Sequence, residues 1–233
     1  MKRIFALNTT IIIALLSCIH HYQPQRICEK FNQPDEIQLR VRMKLEFKND
    51  RVSLVENIFI KGGDIRIDVL GVFDNTLLSI LTKEGNIYVI DYSSHLIYRF
   101  KNREEFVRQF NINLPVSNLP FLLTLSPKNL YDIKDKTENT YLLSNGEKIT
   151  IFEDNTGCRI SKVYIDSPQS GQTIASYSEF YSDNGYPFFH NLKIQNHKQN
   201  IRVNIKVLKV NFGDISDSLF DIEGIKGFNY VNR

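Results

Sequence analysis

"IQLRVRMKLEF", Ile37 to Phe47, decides how the chain folds: every odd position is apolar and every even position is polar or charged. Side chains of a strand alternate between its two faces, so this is a half-buried β-strand with a basic face in solvent and an apolar face on a core. Runs of the same kind follow, each announced by turn residues. KNDR leads to Val52–Ile60, KGGD to Ile65–Leu70, GVFDN to Thr76–Thr82, KEGN to Ile87–Tyr92 and SSH to Leu96–Phe100. Links this short join antiparallel neighbours, because a parallel pair needs a crossover of about a dozen residues or more.

The alternation breaks after Phe100. Asn102 and Glu105 have the spacing of a capping box, and Phe106, Val107 and Phe110 share one face of the helix that it would start. The spacing predicts a second short, apolar helix over Leu119–Leu125, after the extended NLPVSNLP. Strands then resume with Thr140–Ser144, Ile149–Glu153, Cys158–Ile165, Thr173–Tyr181, Phe188–Ile194 and Ile201–Asn211. The expectation is a mainly β protein of about eleven strands, because a sheet this large curls into a barrel or half-barrel. Helices inserted midway can cap its concave side, giving an incomplete antiparallel β-barrel with short helices over an apolar cavity.

Alternation places Ile65, Ile67, Val69, Leu77, Ile87, Val89, Leu96, Tyr98 and Phe100 on one side of this cup, with Phe106, Phe110, Leu122 and Leu123 above them. Two readings stay open: these side chains fill a core, or part of the volume stays vacant and accepts acyl chains. Periodicity does not separate them. The hairpin LGVFDNT, Leu70 to Thr76, is unusual in placing Val72 and Phe73 where turns carry polar residues. Phe73 either folds back onto a neighbour or is offered to a partner.

Composition narrows the classes. The 233 residues are 42% apolar and 24% charged, enough for one domain with its own core. The net charge is +3, and without Lys2 and Arg3 it is 27 basic against 26 acidic side chains, which gives no reason to invoke nucleic acid. No nucleophile elbow, phosphate-binding glycine loop, His-Glu-x-x-His or paired-cysteine metal spacing occurs. His20, His21, His95, His190 and His197 are scattered, and no carboxylates can be placed with the last two to hold a metal. A non-enzymatic protein without metal or cofactor is expected.

The amino terminus, MKRIFALNTTIIIALLSC, joins two positive charges to an apolar segment, Ile11 to Leu16, that is too short to span a bilayer. Residues 1–17 therefore read as a secretion signal. Leu15-Leu16-Ser17-Cys18 resembles the bacterial lipobox, which implies cleavage before Cys18 and acyl chains on it; an ordinary signal peptide ending near a cysteine is the alternative. Each buried methylene contributes roughly 0.8 kcal/mol, so two or three chains make a stable anchor. Residues 18–36 would then be a lipidated tether and 37–233 the domain. Residue 19 is Ile rather than the Asp of the inner-membrane retention signal, so the periplasmic face of the outer membrane is the expected location. Cys28 and Cys158 could form a bridge in an oxidising compartment or remain thiols.

From Arg66 to Asn129 the chain resembles the central segment of LolB and the LolB-like outer-membrane lipoproteins. The shared order is a hydrophobic strand, a loop with an exposed apolar residue, a strand, "EGN", a further strand, the helix start "Glu-Glu-Phe" and "Leu-Pro-Val-x-x-Leu" before a short apolar helix. The C-terminal VLKVNFGDISDSLFDIE is similar to the last strand more loosely. The chain departs from the pattern in having no tryptophan, Phe at the exposed loop position and Ser126-Pro127 where a Gly is usual. The resemblance implies a monomeric receptor, anchored in the outer membrane, that takes lipoprotein acyl chains from a periplasmic LolA-like carrier and inserts them. Val72 and Phe73 would be the membrane-inserting loop. A structural or assembly lipoprotein, or a lipid carrier on the same fold, is the alternative.

Overall fold

The computed structural model describes residues 36–47, 50–110, 118–155, 159–183 and 186–232. Cys18, Cys28 and Cys158, and with them the expected lipidation site, tether and bridge, lie outside the described residues. Along the chain come β1 (Ile37–Phe47), β2 (Asp50–Lys61), β3 (Asp64–Leu70), β4 (Thr76–Lys83), β5 (Asn86–Asp91) and β6 (Leu96–Phe100). Helices α1 (Arg103–Phe110) and α2 (Leu119–Thr124) follow. The second half is β7 (Ile133–Lys136), β8 (Thr140–Leu143), β9 (Lys148–Glu153), β10 (Ile160–Ser167), β11 (Gly171–Asp183), β12 (Tyr186–Asn196), β13 (Ile201–Phe212) and β14 (Asn229–Asn232).

Among the described residues, fourteen strands form one sheet in the order β14-β6-β5-β4-β3-β2-β1-β13-β12-β11-β10-β9-β8-β7. β1 lies at its centre, paired antiparallel with β2 and β13 over its whole length. The ends of the sheet, β14 and β7, are not paired with each other, so the barrel is open. Sequence periodicity misses both edge strands. β7 is exposed along its whole length and carries no apolar alternation, and β14 pairs parallel with β6 because the chain returns there from afar.

The sheet must curl because α2 touches places that a flat sheet would hold far apart. Pro120 of α2 shares a cavity with Ile87 of β5, while Asn118, just before α2, donates from Nδ2 to Oε2 of Glu147 at 2.9 Å, on the turn into β9. Nine strand spacings separate β5 from β9, roughly 43 Å on a flat sheet, whereas a six-residue helix is about 9 Å long. Only a sheet wrapped around the helix satisfies both contacts.

Helix α2 is therefore sunk into the concave side. Pro120 to Thr124 are all buried, and Phe121, Leu122 and Leu123 share the main core cluster with Ile37, Leu39, Ile58 and Ile65. Its last carbonyls cannot bond within so short a helix. The Tyr177 hydroxyl of β11 donates to the Leu122 carbonyl at 2.9 Å, the Thr124 hydroxyl donates to the Pro120 carbonyl at 2.7 Å, and Leu125 ends the helix in the left-handed conformation at φ 56°. Helix α1 starts as its capping box predicts: the Glu105 N–H donates to Asn102 Oδ1 at 2.9 Å.

On the convex side, residues after β13 cross back over β3 to β6. Ile215, Phe220 and Ile222 bury Leu81, Ile90 and Ile97. Arg66 donates to the Leu219 carbonyl at 2.7 Å and is itself held by Asp68 at 2.8 Å, while Lys61 donates to the Ile215 carbonyl at 2.7 Å. These strands are thus buried on both faces.

Replacing Tyr177 by Phe is expected to lower stability by about 1–3 kcal/mol, the cost of leaving a buried carbonyl without its donor. A shift of the urea midpoint with an unchanged slope checks this; an unaltered midpoint would mean that the bond does not hold α2.

Candidate functional site

Register fixes which side chains face inward. Ile65, Ile67 and Val69 of β3 pair across to Ile60, Ile58 and Glu56 of β2, and Ile67 and Val69 pair with Ile80 and Leu78 of β4. The same face continues through Ile87 and Val89 of β5 to Phe100, Tyr98 and Leu96 of β6. Phe106 of α1 packs edge-on against Phe100 with ring centroids 5.7 Å apart, and Leu122 and Leu123 are fully buried with α2. One of the expected residues differs. Leu77 lies on the convex face and is 47% exposed, because the register shifts at the Val69/Leu70 bulge and places Leu78 inward instead. The side chain of Phe110 lies outside the described residues.

A cavity of about 430 Å³ opens where the β2–β3 and β4–β5 turns meet α2, lined by Gly63, Asp64, Thr82, Ile87, Pro120 and Tyr131 among others. Binding sites for small molecules span roughly 300–1,000 Å³, so this volume is adequate for one slender ligand. The Tyr131 hydroxyl donates to Asp64 Oδ1 at 3.3 Å across its rim, and Gly63 beneath that ring has φ 87°, a backbone conformation that other residues rarely adopt. Burial pushes the Asp64 carboxyl upward, and the hydrogen bond from Tyr131 works against it. Of the predicted lining residues, Ile87 borders this cavity.

Glu56 is the feature that the sequence reading missed. Along β2, Val52, Leu54, Ile58 and Ile60 hold the inward register, and Glu56 takes the position between Leu54 and Ile58. It is only 3% exposed. Its Oε2 has no hydrogen-bond partner among the described residues, and its strand partners on that face are Val41 and Val69. Burial alone, with no neighbouring charge contributing, pushes its carboxyl from 4.5 up to about 7. The signal was in the sequence: one carboxylate interrupts an apolar period of two.

The β3–β4 loop closes with the Gly71 N–H on the Asn75 carbonyl at 2.8 Å and Asp74 in the left-handed region at φ 59°. Arg40 of β1 holds Asp74 at 2.6 Å. This leaves Val72 94% and Phe73 91% exposed, so Phe73 does not fold back onto its hairpin. Val69, opposite Glu56, lies two residues before Gly71, which puts the buried carboxyl at the same end of the sheet as the apolar tip.

Among the described residues no cluster of His, Cys, Asp or Glu is arranged to hold a metal ion, and no helix is long and apolar enough to cross a membrane.

No family model matches the chain, and no curated protein sequence matches it. Solved structures do. A LolA superfamily protein from Nitrosomonas europaea superposes with a TM-score of 0.57 at 12% identity, over 82% of this chain and 92% of that one. A DUF1329 family protein from Desulfovibrio piger gives a TM-score of 0.61 at 9% identity, over 85% and 95%. A putative outer membrane lipoprotein-sorting protein domain from Vibrio parahaemolyticus gives 0.52 at 9% identity, over 81% and 90%. The large open antiparallel sheet with few short helices is thus the LolA-like fold.

A carboxyl raised by burial favours folding while protonated. Its contribution is fully present below pH 4.5 and is lost as the pH rises through about 7. The loss amounts to about 3 kcal/mol. Unfolding followed across this window is expected to show stability falling with pH in the native chain and a flatter profile in Glu56→Gln; parallel profiles would show that Glu56 is hydrated.

Proposed function

We propose that the protein is a lipoprotein receptor tethered through acylated Cys18 to the periplasmic face of the outer membrane. It takes acyl chains of lipoproteins from a soluble LolA-like carrier into the concave side of its sheet and releases them into the bilayer. The observation that carries this reading is the apolar concave face of a LolA-like open barrel combined with a hairpin that exposes Val72 and Phe73 at one end. No covalent step is needed. Each methylene moved between apolar surroundings changes the free energy by far less than its roughly 0.8 kcal/mol of transfer from water, so chains can pass down a shallow gradient without meeting solvent. Burying one exposed Phe in lipid contributes roughly 1.5–3 kcal/mol, enough to orient this end of the sheet but too little to anchor the protein.

A second reading has its own support. Phe121, Leu122 and Leu123 fill part of the concave side completely, as they would in a structural envelope lipoprotein whose interior is a finished core. Transfer separates the two. The purified domain is expected to take an acylated peptide from a carrier and deliver it to liposomes, with Phe73→Glu retaining uptake and losing delivery at least tenfold. No uptake by the unaltered domain leaves only the structural reading, and equal delivery by Phe73→Glu removes the wedge.

A further inference from the structure

Glu56 is a carboxylate sealed into an apolar face, with Oε2 lacking a donor among the described residues. Two other buried side-chain oxygens, Asn129 Oδ1 and Gln199 Oε1, share that condition, but neither belongs to a group that can carry a full charge. A buried charge without a partner is expensive, and such groups in folded proteins call for a specific reason. Packing supplies none: a Val or Leu would complete the alternation of β2, and Val41 and Val69 beside it are apolar. Position supplies one. Glu56 faces the concave side at the end of the sheet that carries Val72 and Phe73, where the polar junction of an amphiphile would rest once its chains had entered.

From this placement we infer that Glu56 is the polar anchor of the cup, accepting a hydrogen bond from an ammonium or amide N–H at the point where acyl chains join their head group. The preferred ligand is then an N–H-bearing amphiphile, such as the acylated first residue of a lipopeptide, rather than hydrocarbon in general. This rests on the concave side taking acyl chains as proposed above. The raised carboxyl fits the role, since a bound donor would favour the ionised form and draw it back down.

Two probes with the same chain and charge separate the anchor from the cavity. Hexadecylammonium carries N–H donors and hexadecyltrimethylammonium carries none. Titration calorimetry at about pH 8, where the carboxyl is largely ionised, measures both against the native protein and its variants Glu56→Leu and Glu56→Gln. The native protein is expected to prefer hexadecylammonium at least tenfold. Glu56→Leu is expected to bind both probes alike, and Glu56→Gln, which keeps a carbonyl acceptor and the shape, to retain a smaller preference. The comparison of ratios cancels the greater bulk of the methylated head. Equal binding of the two probes by the native protein, or a preference that survives in Glu56→Leu, overturns the anchor while leaving chain binding by the concave side intact. Binding of neither probe to any of the proteins overturns both.

Discussion

A wide sheet with one apolar face has to hide that face, and here a helix of six residues does much of the work. Helix α2 is too short to be stable alone, and it has no polar side to turn towards water. It exists because the sheet wraps around it, and the sheet wraps because the helix offers an apolar body to close upon. Several polar groups of this arrangement serve one another. Tyr177 serves the Leu122 carbonyl, Thr124 serves Pro120, Asn129 donates to Thr124, and Asn118 reaches Glu147. Curvature, concave side and cavity all follow from that mutual dependence.

Against this background, the places where the molecule leaves apolar or polar groups uncompensated stand out. Val72 and Phe73 are held outward by a loop that Arg40 and the Gly71–Asn75 bond keep in shape. Glu56 is held inward with an oxygen that no described residue serves. Both lie at one end of the sheet, and each is costly in isolation. An apolar tip and a buried acceptor make chemical sense together when the molecule that meets them has chains and a donor-bearing head.

The sequence made the framework legible wherever one face alone is buried. The alternation of Ile37–Phe47 coincides with β1, and the capping box of Asn102 and Glu105 with the start of α1. It was less legible where both faces are covered. Runs such as Ile-Tyr-Val-Ile in β5 are continuously apolar, the mark of a strand buried twice, yet what covers the second face lies far along the chain. Leu77 shows the same difficulty at one residue: with Leu77 and Leu78 adjacent and a bulge at Leu70, periodicity offers no reason to choose between them. Glu56 was readable as an interruption of a pattern, and its burial was not, because depth depends on how far the sheet curls.

The return of the chain across the convex side sets an order on assembly. Strands β3 to β6 come early in the polypeptide, but their outer surface and the free edge of β6 are covered only by residues 215–232. The contact from Arg66 to Leu219 spans 153 positions. A growing chain leaving the ribosome therefore cannot finish its first half until nearly all of it has been synthesised.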